Sequence, residues 1–131
     1  MRGAIVAVLL VVLAGCSGSP DLDLPPAGAI RFGTSFNPDT FAVTGSKSTF
    51  TPNDRVAMVA AFTSTVRGSV TLEATAGGMI TLSQQLAFDG EAGSYAITVA
   101  VSQLTFVTGP VEVRFLDVGG NVLASGTLTV G

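Results

Sequence analysis

The sequence predicts an all-β protein from Ala29 onward, and three observations support this prediction. Apolar and polar residues alternate with a period of two, which is the pattern of strands buried on one face. Short glycine-containing stretches separate the alternating runs, and no window in this region shows a helical period. Val, Ile and Thr, which favour strands, are abundant throughout.

Eight strands follow from this pattern. Two short ones are predicted near Ala29–Gly33 and Phe41–Thr44, and the run at 55–63 is apolar on both faces, which indicates a central strand. The others are predicted at 69–75, 79–88, 94–101, 111–117 and 121–130. Glycine supplies positive φ at little steric cost, so we expect turns at 76–78, 89–93, 108–110 and 119–121.

The alternation also predicts which side chains face the core. In each run the apolar residues share one phase. The groups are Val70, Leu72 and Ala74; Val111, Val113 and Phe115; Tyr95, Ile97, Val99 and Val101; Ile80, Leu82, Leu86 and Phe88; and Val122, Ala124, Leu128 and Val130. Gln84 interrupts the group that runs from Ile80 to Phe88. We also expect Met58 and Met79 in the core. Phe32, Phe36, Phe41 and Phe50 are expected to cap it, and the alternative is an aromatic binding platform.

The count of about seven to eight strands in roughly 100 residues predicts a single immunoglobulin-like antiparallel β-sandwich. The segment GPVEVRFLDVGGNVLASGTLTV resembles the closing hairpin of bacterial immunoglobulin-like domains, with Val111 where those domains often have Tyr. The cysteine pair and Trp of antibody domains are absent from the sequence. The alternative architecture is a small β-barrel.

The N-terminal segment has a different character. Arg2 is followed by an unbroken apolar run from Ala4 to Ala14, which is shorter than the roughly 20 residues that span a bilayer and is typical of a secretory signal peptide. The stretch Leu13-Ala14-Gly15-Cys16 resembles the lipobox of bacterial lipoproteins at all four positions.

That resemblance implies cleavage between Gly15 and Cys16, removal of residues 1–15 and attachment of lipid to the Cys16 thiol. The protein would then be held by its lipid at the cell membrane or outer membrane, facing away from the cytoplasm. The alternative is an ordinary secreted protein with a free thiol. Residues 16–28 are rich in Ser, Gly, Pro and Asp, which predicts a flexible linker before a domain at 29–131.

Composition restricts the function of the domain. Only 11% of the residues are charged, the net charge is −3, and six Lys and Arg provide no basic patch for nucleic acid. The sequence has no His, which excludes Ser-His-Asp triads and imidazole metal ligands. We therefore predict a non-enzymatic binding or structural module without a cofactor. Its partners would be the membrane, through the lipid, and another envelope protein or a polymer.

A second hypothesis is that acidic residues in the loops form a calcium site. Asp54, Asp89, Glu91 and Asp117 lie at or near predicted turns and would be the oxygen ligands of a calcium-dependent carrier or enzyme. The competing interpretation is that they are solvated surface charges, because the sequence has no EF-hand pattern.

Overall fold

The computed structural model describes residues 22–131, which form an almost entirely β structure and confirm the all-β prediction. The strands are β1 (Ile30–Gly33), β2 (Ser35–Phe36), β3 (Val43–Thr44), β4 (Thr49–Phe50), β5 (Arg55–Ala76), β6 (Met79–Ala100), β7 (Gly109–Leu116) and β8 (Val122–Val130). One short helix, α1 (Val101–Leu104), follows β6.

The central element is a hairpin of two 22-residue strands, β5 and β6. We predicted four separate strands here, and the turn predicted at 89–93 is wrong because these residues continue β6. The chain bends instead of turning, with register shifts between Ala61 and Val66 and between Arg67 and Ser69. Gly68 and Gly90 adopt positive φ at this bend, so the ladder continues through irregular backbone.

The hairpin curls strongly enough for the start of β6 to meet the helix that follows its end. The Thr81 hydroxyl donates a hydrogen bond to the Leu104 carbonyl, with 2.5 Å between the two oxygens. The two halves of the hairpin therefore enclose the core between them, in a sandwich-like arrangement. The turn at Gly77 and Gly78, where both residues have positive φ, is located as predicted.

β5 lies at the centre of the main sheet. β6 pairs with one of its edges, while β1 and β7 pair with the first and second halves of its other edge. β8 is antiparallel to β7, but β4 is parallel to β8, so the sheet is mixed, whereas the sequence predicted an antiparallel sandwich. An isolated parallel bridge between Ala29 and Ser125 joins the start of β1 to β8 and closes the curl of the sheet.

The core contains most of the side chains that the alternation predicted. All the expected residues of 70–74, 95–101 and 111–115 are buried. Phe115 lies at the middle, with its ring centroid 5.8 Å from those of Phe62 and Tyr95. Phe32, Phe41 and Phe50 are buried and Phe36 is half-buried against Phe41, so these rings cap the core and the platform interpretation is wrong.

Three residues predicted to face the core are exposed, and bulges account for two of them, Ile80 and Val122. A register shift between Ala74 and Thr75 places Ile80 opposite Thr75, and Ile80 is 58% exposed. Met79, at the tip of the hairpin, is 57% exposed, whereas Met58 is fully buried as predicted. In β8 a second shift inserts Leu123, which is buried while Val122 is exposed.

Residues before the predicted domain start at Ala29 also pack against the core. Leu22 and Leu24 pack against the core, and the Asp23 backbone N–H donates to the Thr40 carbonyl at 2.7 Å. The Asp23 carboxylate lies 3.2 Å from an Arg31 guanidinium nitrogen. Residues 22–28 of the predicted linker therefore belong to the packed domain. Residues 16–21, together with the predicted signal peptide at 1–15, lie outside the described residues.

Candidate functional site

The predicted lipid attachment site falls outside the described part of the chain. Gly15 and Cys16 precede Leu22, so the predictions of cleavage and lipidation remain predictions. Within residues 22–131, no helix is long and apolar enough to cross a membrane.

Asp54, the first acidic candidate, organises the turn before β5. Its carboxylate accepts a hydrogen bond from the Thr51 backbone N–H at 2.8 Å and lies 3.6 Å from the Lys47 ammonium nitrogen. The backbone N–H of Thr51, together with the charge of Lys47, holds the pKa of Asp54 below its usual value. The carboxylate oxygens of Asp54 therefore stabilise the turn through a hydrogen bond and an ion pair.

Asp117 has the equivalent role in the turn between β7 and β8. Its carboxylate accepts hydrogen bonds from the backbone N–H groups of Gly119 and Asn121, both at 2.9 Å, and from the Asn121 side-chain amide at 3.0 Å. The backbone N–H of Asn121 contributes most to holding the pKa of Asp117 below its usual value.

Asp89 and Glu91 lie at the bend of β6 and are exposed. Glu91 pairs across the hairpin with Arg67, with 3.3 Å between a carboxylate oxygen and a guanidinium nitrogen. The structure does not bring the four candidates together. Among the residues it describes, no group of three or more Asp, Glu, His or Cys is placed to hold a metal ion.

Sequence reasoning missed a charged pair on the outer face of the sheet. Glu73 is only 8% exposed, lies directly opposite Arg114 in the β5–β7 register and accepts a hydrogen bond from its guanidinium group. The Arg114 Nε is buried without a hydrogen-bond partner in the described structure. Both residues occupy the predicted outward phase, but the sequence carries no signal that β5 and β7 are neighbours.

This pair belongs to a polar row that crosses four strands. Ser83, Glu73, Arg114 and Ser125 are successive partners from β6 to β8. Beside the row lies an open groove of about 520 Å³. Its lining residues are Thr71, Ser83, Gln85, Leu116, Asp117, Val118 and Gly120. Hydroxyl and amide groups predominate among its polar side chains, so the groove suits a neutral polar ligand.

A second concavity, of about 170 Å³, is lined by residues of α1 and of the loop at 105–108 that follows it. Pro52, Val101 and Val130 contribute apolar surface to it, and Phe106, 78% exposed, stands at its rim. The Thr105 hydroxyl fixes this loop by donating to the Val107 carbonyl and accepting from the Val107 N–H. This pocket suits a small apolar group.

Comparison with known proteins finds no matching family model, no matching curated protein and no matching solved structure.

Proposed function

We propose that this protein is a bacterial lipoprotein of the cell envelope, and that its domain is a non-catalytic immunoglobulin-like β-sandwich module. The observation that carries the proposal is the lipobox-like stretch Leu13-Ala14-Gly15-Cys16, which directly follows an apolar run of signal-peptide length. The Cys16 thiol is then an attachment point for lipid. Because one acyl chain binds a membrane only marginally, stable anchoring takes two or more chains.

The chemistry of the domain favours binding over catalysis. The sequence has no His, and its one thiol is assigned to the lipid. Asp54, Glu73, Glu91 and Asp117 each form hydrogen bonds or ion pairs that stabilise a turn or a pair of strands. What the domain offers a partner is the polar groove beside Gln85 and the apolar pocket beside Phe106.

Metabolic labelling with a fatty-acid analogue tests the anchor. The wild-type chain should incorporate the label, and Cys16→Ser should abolish incorporation and leave the unprocessed chain. A Ser17→Cys variant is the matched control for Cys16, because it retains the lipobox and should be labelled as the wild type is. Equal labelling of the wild type and Cys16→Ser would show that Cys16 carries no lipid.

A further inference from the structure

Among the described strands, β6 has the longest unpaired edge. β5 pairs with one edge of β6, and no other strand within residues 22–131 pairs with the second edge. The backbone N–H and C=O groups of such an edge can form hydrogen bonds with an added strand. Natural proteins usually protect free edges with Lys, Pro or bulges.

That protection is missing from the first half of β6. The residues from Met79 to Phe88 include no charged residue and no Pro. Leu82 to Ala87 pair regularly with Ser69 to Ala74, and the register shifts lie only at the two ends of this run. The run therefore presents a regular, uncharged edge to solvent.

The sequence of the run is nearly symmetric about Gln84. It reads Leu82-Ser83-Gln84-Gln85-Leu86, so an antiparallel second copy centred on Gln84 places Leu82 opposite Leu86 and Ser83 opposite Gln85. Apolar side chains then meet apolar ones on one face, and polar side chains meet polar ones on the other. No like charges are opposed, because the nearest charged residue, Asp89, follows the run.

Gln84 itself has an environment that a second copy would complete. It is the direct partner of the fully buried Leu72 and shares the inward phase of Leu82 and Leu86, yet it is exposed, and Leu82 is only half-buried. In a symmetric pair the two Gln84 amides would lie opposite each other, as in the glutamine ladders of stacked strands. A partner of unrelated sequence would have no reason to match this symmetry.

We propose that β6 of one chain pairs with β6 of a second copy, antiparallel and centred on Gln84, so that the protein forms a symmetric dimer with a sheet that continues across both domains. This interaction surface is independent of the anchor and of the apolar pocket, but it shares Ser83 and Gln85 with the groove described above.

Cysteine cross-linking of the full chain in intact cells tests the pairing. Directly opposite residues in an antiparallel pair have Cα atoms about 4.5–5.5 Å apart, which lies within the range that a disulfide bridges. Gln84→Cys, oxidised with copper phenanthroline, should give a reducible species of twice the chain mass. Ala87→Cys is the matched control, because Ala87 is also exposed on β6 but would lie about 20 Å from its counterpart.

We expect at least about tenfold more dimer from Gln84→Cys than from Ala87→Cys or from the parent chain, whose only cysteine is Cys16. A second measurement checks the register: cells that contain both Ser83→Cys and Gln85→Cys chains should give more dimer than cells with either chain alone. Equal cross-linking of Gln84→Cys and Ala87→Cys, or a product that contains a different protein, would overturn the proposal.

Discussion

Tyr95 provides a test of the core that can be worked out quantitatively. It is 1% exposed, its ring packs against Phe88 and Phe115, and its hydroxyl has no hydrogen-bond partner among residues 22–131. Burial raises the pKa of Tyr95 to about 12, because the phenolate would be charged in an apolar environment. The perturbation is Tyr95→Phe, which removes the hydroxyl and keeps the ring.

Two effects follow, and they differ in pH dependence. At neutral pH the variant should be as stable as the wild type or up to about 1 kcal/mol more stable, because it no longer buries an unsatisfied hydroxyl. At higher pH the wild type alone should lose stability. The folded pKa of Tyr95 lies above the unfolded value of 10.0, so the contribution of the neutral phenol is intact below pH 10 and is lost as the pH rises towards 12.

The magnitude follows from proton linkage. At about pH 11 most unfolded chains carry the phenolate and most folded chains do not, so the wild type should lose about 1.4 kcal/mol of unfolding free energy that Tyr95→Phe retains. The assay is urea unfolding of residues 22–131, followed by circular dichroism, at about pH 8 and about pH 11. Both proteins contain the same Lys and Arg residues, so their difference isolates Tyr95.

Absorbance gives an independent check, because Tyr95 is the only tyrosine and the sequence has no Trp. Tyrosinate should appear in the folded protein only as the pH approaches 12. Tyr95 would be accessible to solvent if tyrosinate formed at the ordinary pKa of tyrosine while the protein stayed folded. A stability difference between the two proteins that is the same at both pH values would likewise contradict its burial.

The remaining predictions concern packing, charge and metal. Val113→Asp should lower the free energy of unfolding by about 4 kcal/mol or more, because a carboxylate would replace a fully buried side chain. Glu112→Gln, on the exposed face, should change it by no more than about 0.5 kcal/mol. Equal shifts of the two melting temperatures would contradict the register of β7. Arg114→Met should cost about 2 kcal/mol by leaving the Glu73 carboxylate unpaired, and adding Glu73→Leu should recover part of this loss in a double-mutant cycle. A chain that starts at Ala27 should melt below one that starts at Leu22, because it lacks Leu22 and Leu24 and the Asp23–Arg31 pair. EDTA should leave the melting temperature of residues 22–131 unchanged, and a decrease that Ca²⁺ reverses would establish a site at Asp54, Asp89, Glu91 or Asp117.

The orientation of most core residues was predictable because alternation is intrinsic to a strand. Val111, Val113 and Phe115 are fully buried, and the glycines of the turn after Ala76 are where the pattern placed them. Bulges were not predictable, because an extra residue is recognised only against the partner strand. A prediction that assumes uninterrupted alternation therefore places Ile80 and Val122 on the core face, whereas both are exposed.

The bend of the long hairpin could not be predicted from the composition of its residues. Gly90 and its acidic neighbours match a turn as well as they match a bulge, and the choice depends on whether the opposite strand also continues. It does, because β5 bends at Gly68 and keeps pairing with β6. The composition of a segment therefore indicates irregular backbone without specifying whether the chain reverses.

The residues of the candidate sites were predictable from the sequence, but their contacts were not. Asp54 and Asp117 could be picked out in the sequence as acidic candidates. Their carboxylate oxygens accept hydrogen bonds from nearby backbone N–H groups, and these bonds depend on the turn geometry. The Glu73–Arg114 pair joins residues 41 positions apart and requires the strand order. The lipobox-like stretch is different, because such a motif is read as a linear sequence and needs no tertiary context.

The intact mass of the protein extracted from membranes shows whether Cys16 becomes the lipidated first residue of the mature protein. We predict the mass of residues 16–131 increased by that of a diacylglyceryl group that replaces the thiol hydrogen and, where the new amine is also acylated, by that of a fatty acyl group that replaces an amine hydrogen. Fragmentation should place the added mass on Cys16. A chain that retains residues 1–15, or one cleaved nearby with an unmodified Cys16 thiol, would contradict the account.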